Sequence, residues 1–169
     1  MQILLVRHGI AEDPEAGSPK PDSGRQLTKK GRKQMKLVAR GMRRIVGKVN
    51  MVACSPYTRA VQTAEILLKE FRKKGDPEFL IVDEIRSGVS PEDATDWLAR
   101  QDPDATLVLV GHEPDFSELM SHLTSGGHGA YARFSKAGAC LISFGATPSA
   151  GNGDLIWLLT PDVFGWLGV

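Results

Sequence analysis

The sequence predicts an α/β fold: a three-layer α/β/α sandwich around a mostly parallel central sheet of about six strands. Three observations carry this. Short apolar runs alternate with stretches whose apolar residues recur every three to four positions, the pattern of a sheet wound with helices. The alternation continues through four strands, and two further runs close the chain. A length of 169 residues suits one domain, 1–169, with no internal repeat or linker to divide it.

Residues 2–6 (QILLV) read as a buried strand. Residues 10–26 form a long connection with Pro14, Gly17, Pro19, Pro21 and Gly24, and loops of that length inside a domain are often functional. Thr28 is placed to cap a helix reaching about Val46, with Met35, Val38, Ala39, Met42 and Ile45 as its apolar stripe. Residues 50–54 are a second strand. Ser55-Pro56 then reads as a helix start, serine as N-cap and proline in the first turn, with the helix ending near Gly75. Residues 79–82 are a third strand. Ser90-Pro91-Glu92-Asp93 opens a helix through about Arg100, with acids in its first turn. Residues 105–110 are a fourth strand, followed by a helix near 115–124 and a glycine-rich loop at 125–129. Residues 139–144 and 154–159 are the closing strands, able to add antiparallel pairing. The tail, with Trp157, Phe164 and Trp166, is expected to pack on the body.

Composition excludes several classes of function. The formal net charge is +1, so no global field draws the chain to nucleic acid or membrane. The two cysteines, Cys54 and Cys140, are too few for a disulfide framework and read as buried thiols. The N-terminus lacks the charged region of a signal peptide, and no apolar run approaches the roughly 20 residues of a membrane span. The expectation is a cytoplasmic protein.

In open α/β sheets ligands bind beyond the carboxyl ends of the strands. Strand one is followed by Arg7-His8-Gly9, strand two by Ser55-Pro56-Tyr57-Thr58-Arg59, and strand four by Gly111-His112. If these strands are parallel neighbours, two arginines and two imidazoles converge beside a helix start, a site suited to a tetrahedral dianion such as phosphate. Other chemistries fit less well. Cys54 and Arg59 are one residue too close for a cysteine phosphatase. His112-Glu113 begins like a zinc motif, but Phe116 holds the second histidine position, and His122 and His128 have no cysteine partner. The glycines at 125–129 lack the lysine of a P-loop.

Arg7-His8-Gly9 directly after the first strand resembles the signature of the histidine phosphatase, or phosphoglycerate-mutase-like, superfamily. "GRQLTKKG" at 24–31, "SPYTRAVQTAEIL" at 55–67 and "VGHEP" at 110–114 resemble further blocks of that family, in family order. The short chain and its Gly-His-Glu-Pro segment resemble the SixA-type phosphohistidine phosphatase branch. The resemblance implies that His8 is a nucleophile forming a covalent phosphohistidine, and that Arg7, Arg59 and His112 clamp the phosphoryl oxygens. It implies that Ser55 and Gly9 line the pocket, that Arg25 reaches in from the long loop, and that no cofactor or metal is used. Arg7 and Arg59 are expected to lower the pKa of His8 and keep it neutral.

Larger members carry an acidic proton donor after a middle strand. Glu84 is the nearest candidate here, in a context that does not resemble the donor motif. A weak donor suits a phosphoramidate, whose nitrogen can leave protonated, better than an ester. Phosphatase action on small phosphate esters, or a non-catalytic phospho-binding module, are the alternatives. Residues 20–48 hold about half of all Lys and Arg and one acid, Asp22. Either this is a solvated helix face or it docks an acidic protein bearing phosphohistidine, such as a phosphotransfer domain.

Overall fold

The computed structural model describes residues 1–13 and 21–169. The strands are β1 (Gln2–Arg7), β2 (Met51–Cys54), β3 (Glu78–Ile81), β4 (Thr106–Gly111), β5 (Ala139–Ser143) and β6 (Asp154–Leu159). The helices are α1 (Lys29–Ile45), α2 (Thr58–Phe71), α3 (Pro91–Ala99), α4 (Asp115–Ser125) and α5 (Pro161–Leu167). Single 3-10 turns occupy Asp22–Gly24 and Asp83–Ile85.

The strands form one sheet in the order β3-β2-β4-β1-β5-β6. Pairs β2–β3, β2–β4 and β1–β4 are parallel, whereas β5 runs antiparallel to both β1 and β6. Each central strand is apolar on both faces, and alternate residues enter different cores. Leu4, Val6, Val52, Val108 and Val110 pack with Met35, Val38, Met42, Leu67 and Phe71 of α1 and α2 and with Phe164 of α5. Ile3, Leu5, Ala53, Leu107 and Leu109 pack with Trp97, Leu98, Phe116, Leu119 and Met120 of α3 and α4. This is the predicted three-layer sandwich.

Local signals explain most boundaries. The Thr28 hydroxyl accepts from the Gly31 amide and caps α1, and Ser90 does the same for α3 from Asp93. Gly126 ends α4 in the left-handed region, at φ 70°, where glycine carries no steric penalty. Gly31 allows the start of α1 to touch the segment after β1, since a Cβ there would lie 2.0 Å from the Ile10 carbonyl oxygen. That contact fixes α1 against the end of β1.

Two expectations are corrected. The helix after β2 begins at Thr58, with Tyr57 as its N-cap residue, not at Ser55-Pro56. Ser55 is completely buried; its Oγ lies 2.8 Å from His112 Nε2 and accepts from the Tyr57 amide at 3.4 Å, within the turn that precedes α2. In the tail, Phe164 is buried in α5 and meets Trp157 edge-on at 5.7 Å, but Trp166 stands 78% exposed. The sequence did not mark α5 as a helix, because seven residues are too few for a periodic stripe. Both cysteines are buried as expected, and burial pushes the Cys54 thiol up to about 12. Among the described residues no helix is long and apolar enough to cross a membrane.

Candidate active site

β1, β4 and β2 are adjacent and parallel, so their carboxyl ends lie side by side. The residues that follow them meet there. His8 and His112 place their ring centroids 5.3 Å apart, and Arg59 Nε donates to His8 Nε2 at 3.1 Å. His8, Arg59, Ser55 and His112 are all buried. The convergence expected from three strand ends is therefore present.

The His8 ring is held by its other nitrogen. Nδ1 lies 2.7 Å from the Gly9 carbonyl oxygen, an acceptor, so Nδ1 carries the hydrogen and Nε2 keeps its lone pair. The Gly9 amide in turn donates to Thr63 Oγ1 at 3.1 Å, and the Thr63 hydroxyl donates to the Arg59 carbonyl at 2.7 Å. Gly9 thus serves the tautomer of His8, with its own N–H taken by Thr63. Gln62 accepts from the Leu27 amide and ties α2 to the end of the long loop. The Gln-Thr pair of "RAVQTA" therefore fixes the site's framework.

Both imidazoles are held neutral. Burial is the main cause of the lowered His8 pKa, at about 4, with the Arg59, Arg7 and Arg25 charges adding to it and the Gly9 hydrogen bond opposing it. The sequence expectation named the cations; the direction is right, but desolvation is the larger effect. His112 is lowered to about 3 by burial, then by Arg59 and His8. Its Nε2 lies 2.8 Å from Ser55 Oγ, and Tyr57 packs 4.9 Å from its ring. Ser55 orients His112 rather than offering a free hydroxyl.

Arg7 donates from Nη1 to the Phe134 carbonyl at 2.7 Å, and the Glu113 charge faces it. Arg7 Nε and His112 Nδ1 are buried without a partner among the described residues. Buried polar atoms are nearly always bonded; Glu113 Oε1, next to His112 in sequence, Gln34 Oε1 and His122 Nδ1 share this lack, and of the five the atoms of Arg7, His112 and Glu113 stand at or just after the strand ends. Arg25 does reach the site, through Asp22: its Nε donates to Asp22 Oδ1 at 2.8 Å and its Nη1 to the Glu12 carbonyl at 2.7 Å.

Two residues were missed. Asp22 accepts from Arg59 twice, at its carbonyl (2.8 Å) and its Oδ2 (2.9 Å). As the one acid of the basic run 20–48 it carried no catalytic pattern. Tyr57 lies with its ring centroid 5.1 Å from the Arg59 guanidinium carbon, and only its neighbourhood in "SPYTRA" could have flagged it. Glu84 is in the turn after β3 and lies 3.6 Å from Arg100, with no bond to a site residue. The Pro14 to Lys20 part of the long loop lies outside the described residues.

The fold and the pocket define a class: an α/β protein whose strand ends present a neutral imidazole among cations. The histidine phosphatase superfamily (branch 1) model matches residues 3–81. An uncharacterized protein of Picosynechococcus sp. (strain ATCC 27264 / PCC 7002 / PR-6) is 34% identical over 167 residues, covering 95% of this chain and 96% of its own. The structure of the protein histidine phosphatase SixA complexed with tungstate superposes with a TM-score of 0.81 at 23% identity, over 96% of this chain and 98% of that one. A phosphoserine phosphatase of Entamoeba histolytica in complex with 3-phosphoglyceric acid superposes with a TM-score of 0.65 at 16% identity, over 96% and 98%. The chain belongs to the histidine phosphatase superfamily.

Proposed function

We propose that this protein is a phosphohistidine phosphatase of the SixA type, acting through a covalent phosphohistidine on His8. One observation carries the reading: the Gly9 carbonyl fixes the His8 tautomer, so a neutral Nε2 lone pair faces Arg59 and His112. Nε2 attacks phosphorus as Arg59 moves from the lone pair to a phosphoryl oxygen. The bond from phosphorus to the leaving nitrogen breaks and its electron pair stays on that nitrogen; a substrate imidazole that already carries a proton on its other ring nitrogen leaves neutral, with no proton drawn from the protein. Water then attacks the phosphohistidine, releasing phosphate and restoring the lone pair. The covalent intermediate divides one hard step into two easier ones. Arg7, Arg59 and His112 stabilise the equatorial charge of the transition state. Ser55 and Gly9 support this clamp by holding His112 and His8.

The leaving-group argument supports a phosphoramidate. Glu84 is engaged by Arg100, and Glu113 accepts from Ser117 at 2.6 Å. Glu84 makes no bond to a site residue among the described residues and is not offered to a leaving alkoxide, which needs a proton more than a leaving imidazole does, while Glu113 keeps a second, unpartnered Oε1. The α1 surface supports a protein substrate. Lys29, Lys30, Lys33, Lys36 and Arg40 are exposed, and the helix begins against the segment after His8. An acidic phosphotransfer domain would be steered toward the pocket by this surface.

The test is the adduct. Wild-type protein incubated with a phosphorylated phosphotransfer domain should form an acid-labile, alkali-stable phosphoenzyme, and His8→Ala should not. Persistence of the adduct in the variant removes His8 as nucleophile. The second reading, action on small esters, is favoured if sugar phosphates turn over faster than the phosphoprotein in a side-by-side comparison.

A further inference from the structure

Asp22 holds the end of the Arg59 guanidinium that does not touch His8. Arg59 is nearly inaccessible, with 5% of its side chain exposed, and it touches His8. Asp22 covers the outer edge of that guanidinium with its side chain 54% exposed. His8, Arg59 and Asp22 therefore form a line from the pocket floor to its mouth. A nucleophile attacks phosphorus on the side opposite the leaving group. With His8 on the floor, the leaving group points outward, past Asp22.

The same carboxylate removes the cations from the mouth. Its Oδ1 holds Arg25 at 2.8 Å and its Oδ2 holds Arg59 at 2.9 Å. Arg25 Nη1 also donates to the Glu12 carbonyl at 2.7 Å. Among the described residues Arg59 gives one bond to His8 and two to Asp22, which leaves two of its five N–H groups for a phosphoryl oxygen. The two arginines keep Asp22 ionised, holding its carboxyl below the usual carboxylate range despite partial burial. A second anion carried beside the phosphoryl group on this side would meet the Asp22 carboxylate, with Arg25 and the outer edge of Arg59 already bonded to it. An N–H or a cation there would meet an acceptor.

We propose that Asp22 is a specificity-determining residue: its carboxylate, held on Arg59 and Arg25 at the pocket mouth, disfavours substrates with a second anionic group next to the phosphoryl group and favours leaving groups that are neutral or cationic. This rests on the reading of the pocket as a phosphoryl site and goes beyond it by naming what separates one phosphorylated compound from another.

The experiment uses two non-reactive ligands, methylphosphonate and phosphonoacetate, which differ by a carboxylate. Their binding to wild-type protein and to Asp22→Asn is measured by calorimetry at low salt, at a pH where both phosphonates are fully ionised. Asparagine keeps an oxygen acceptor for Arg59 and removes the charge. Wild-type protein should prefer methylphosphonate. Asp22→Asn should gain affinity for phosphonoacetate relative to methylphosphonate by about three- to tenfold, the size expected of a charge pair several ångströms apart near water. An equal change for both ligands, tighter or weaker, makes Asp22 a plug or a structural support and overturns the proposal. If inorganic phosphate and both phosphonates fail to bind wild-type protein, the phosphoryl-site reading falls and the proposal with it. If inorganic phosphate binds while the two phosphonates do not differ, the proposal alone falls.

Discussion

Two neighbouring layers of the same sheet lie one or two residues apart along each strand. Leu4 to Val6, Leu107 to Val110 and Val52 to Cys54 are apolar and nearly inaccessible. One or two positions later come Arg7 and His8, His112, and Ser55 with Arg59 beyond it, several of them just as buried. The first layer lowers the free energy of folding by removing hydrocarbon from water. The second raises it by burying groups that water solvates well. Buried polar clusters of this kind are a mark of functional sites. The comparison separates what the fold needs from what the chemistry needs.

Substitutions in the two layers should therefore fail in opposite ways. The largest effect on activity is expected from His8→Ala, which should remove turnover altogether while leaving stability at neutral pH within about 1 kcal/mol of wild type in urea unfolding. Leu109→Ala should do the reverse, costing about 3 kcal/mol by opening a cavity between the sheet and α4, with the phosphoenzyme still formed at low temperature. A His8 variant that unfolds as readily as the Leu109 variant would erase the distinction.

Arg59→Lys tests the geometry of the polar layer. Lysine keeps the charge but cannot hold His8 and Asp22 at once, so kcat/KM should fall by about 100-fold or more. A loss under threefold would mean that charge alone matters there.

Protonation sharpens the comparison. His8 and His112 titrate near pH 4 and 3 in the folded protein, against 6.5 for a free imidazole. The unfolded chain takes up protons first, so stability is complete above about pH 6.5 and is lost as the pH falls toward 4. Each histidine contributes a slope of about 1.4 kcal/mol per pH unit in that window. Urea melts from pH 7 to 4.5 should show this slope, and His8→Ala should reduce it. Proton NMR of the free protein should find both rings neutral at pH 5.5; a midpoint near 6.5 for either ring contradicts the burial argument.

The smallest effect is expected at the surface. Reversing Lys33, Lys36 and Arg40 to Glu should lower kcat/KM on an acidic phosphoprotein by about tenfold at low salt, and much less at high salt. Rates on a small phosphoramidate should hardly change. If the protein substrate is equally unaffected, the basic face is a solvated surface and nothing more. Its charge pattern is the reverse of that of α3, where Glu92 and Asp93 fill the first turn. α1 begins with Lys29 and Lys30 and no acid, an arrangement that works against the helix dipole.

Much of this was legible from local signals. Apolar runs marked the strands, Thr28 and Ser90 marked two helix starts, and the polar residues after three strands marked the pocket. Where the reading slipped, a long-range partner had taken over a local role. Ser55 has the side chain of an N-cap but bonds His112, 57 positions away in sequence. Gly9 was expected to line the pocket, and its amide bonds Thr63, 54 positions on, a partner no local signal marks.

By itself the sequence determined the order of strands and helices, because hydrophobic period and capping act within a few residues. It also determined which side chains stand at the strand ends. Only the tertiary structure decided the rest. The order β2-β4-β1 brought those ends together. Burial, more than the arginines, set the charge of His8. Asp22 reached Arg59 because the segment before α1 is paired back to the end of β1, with Glu12 and Gln26 joined by a backbone hydrogen bond of 2.8 Å. Desolvation and loop closure depend on the surroundings of a residue in space, and no short window of sequence contains them.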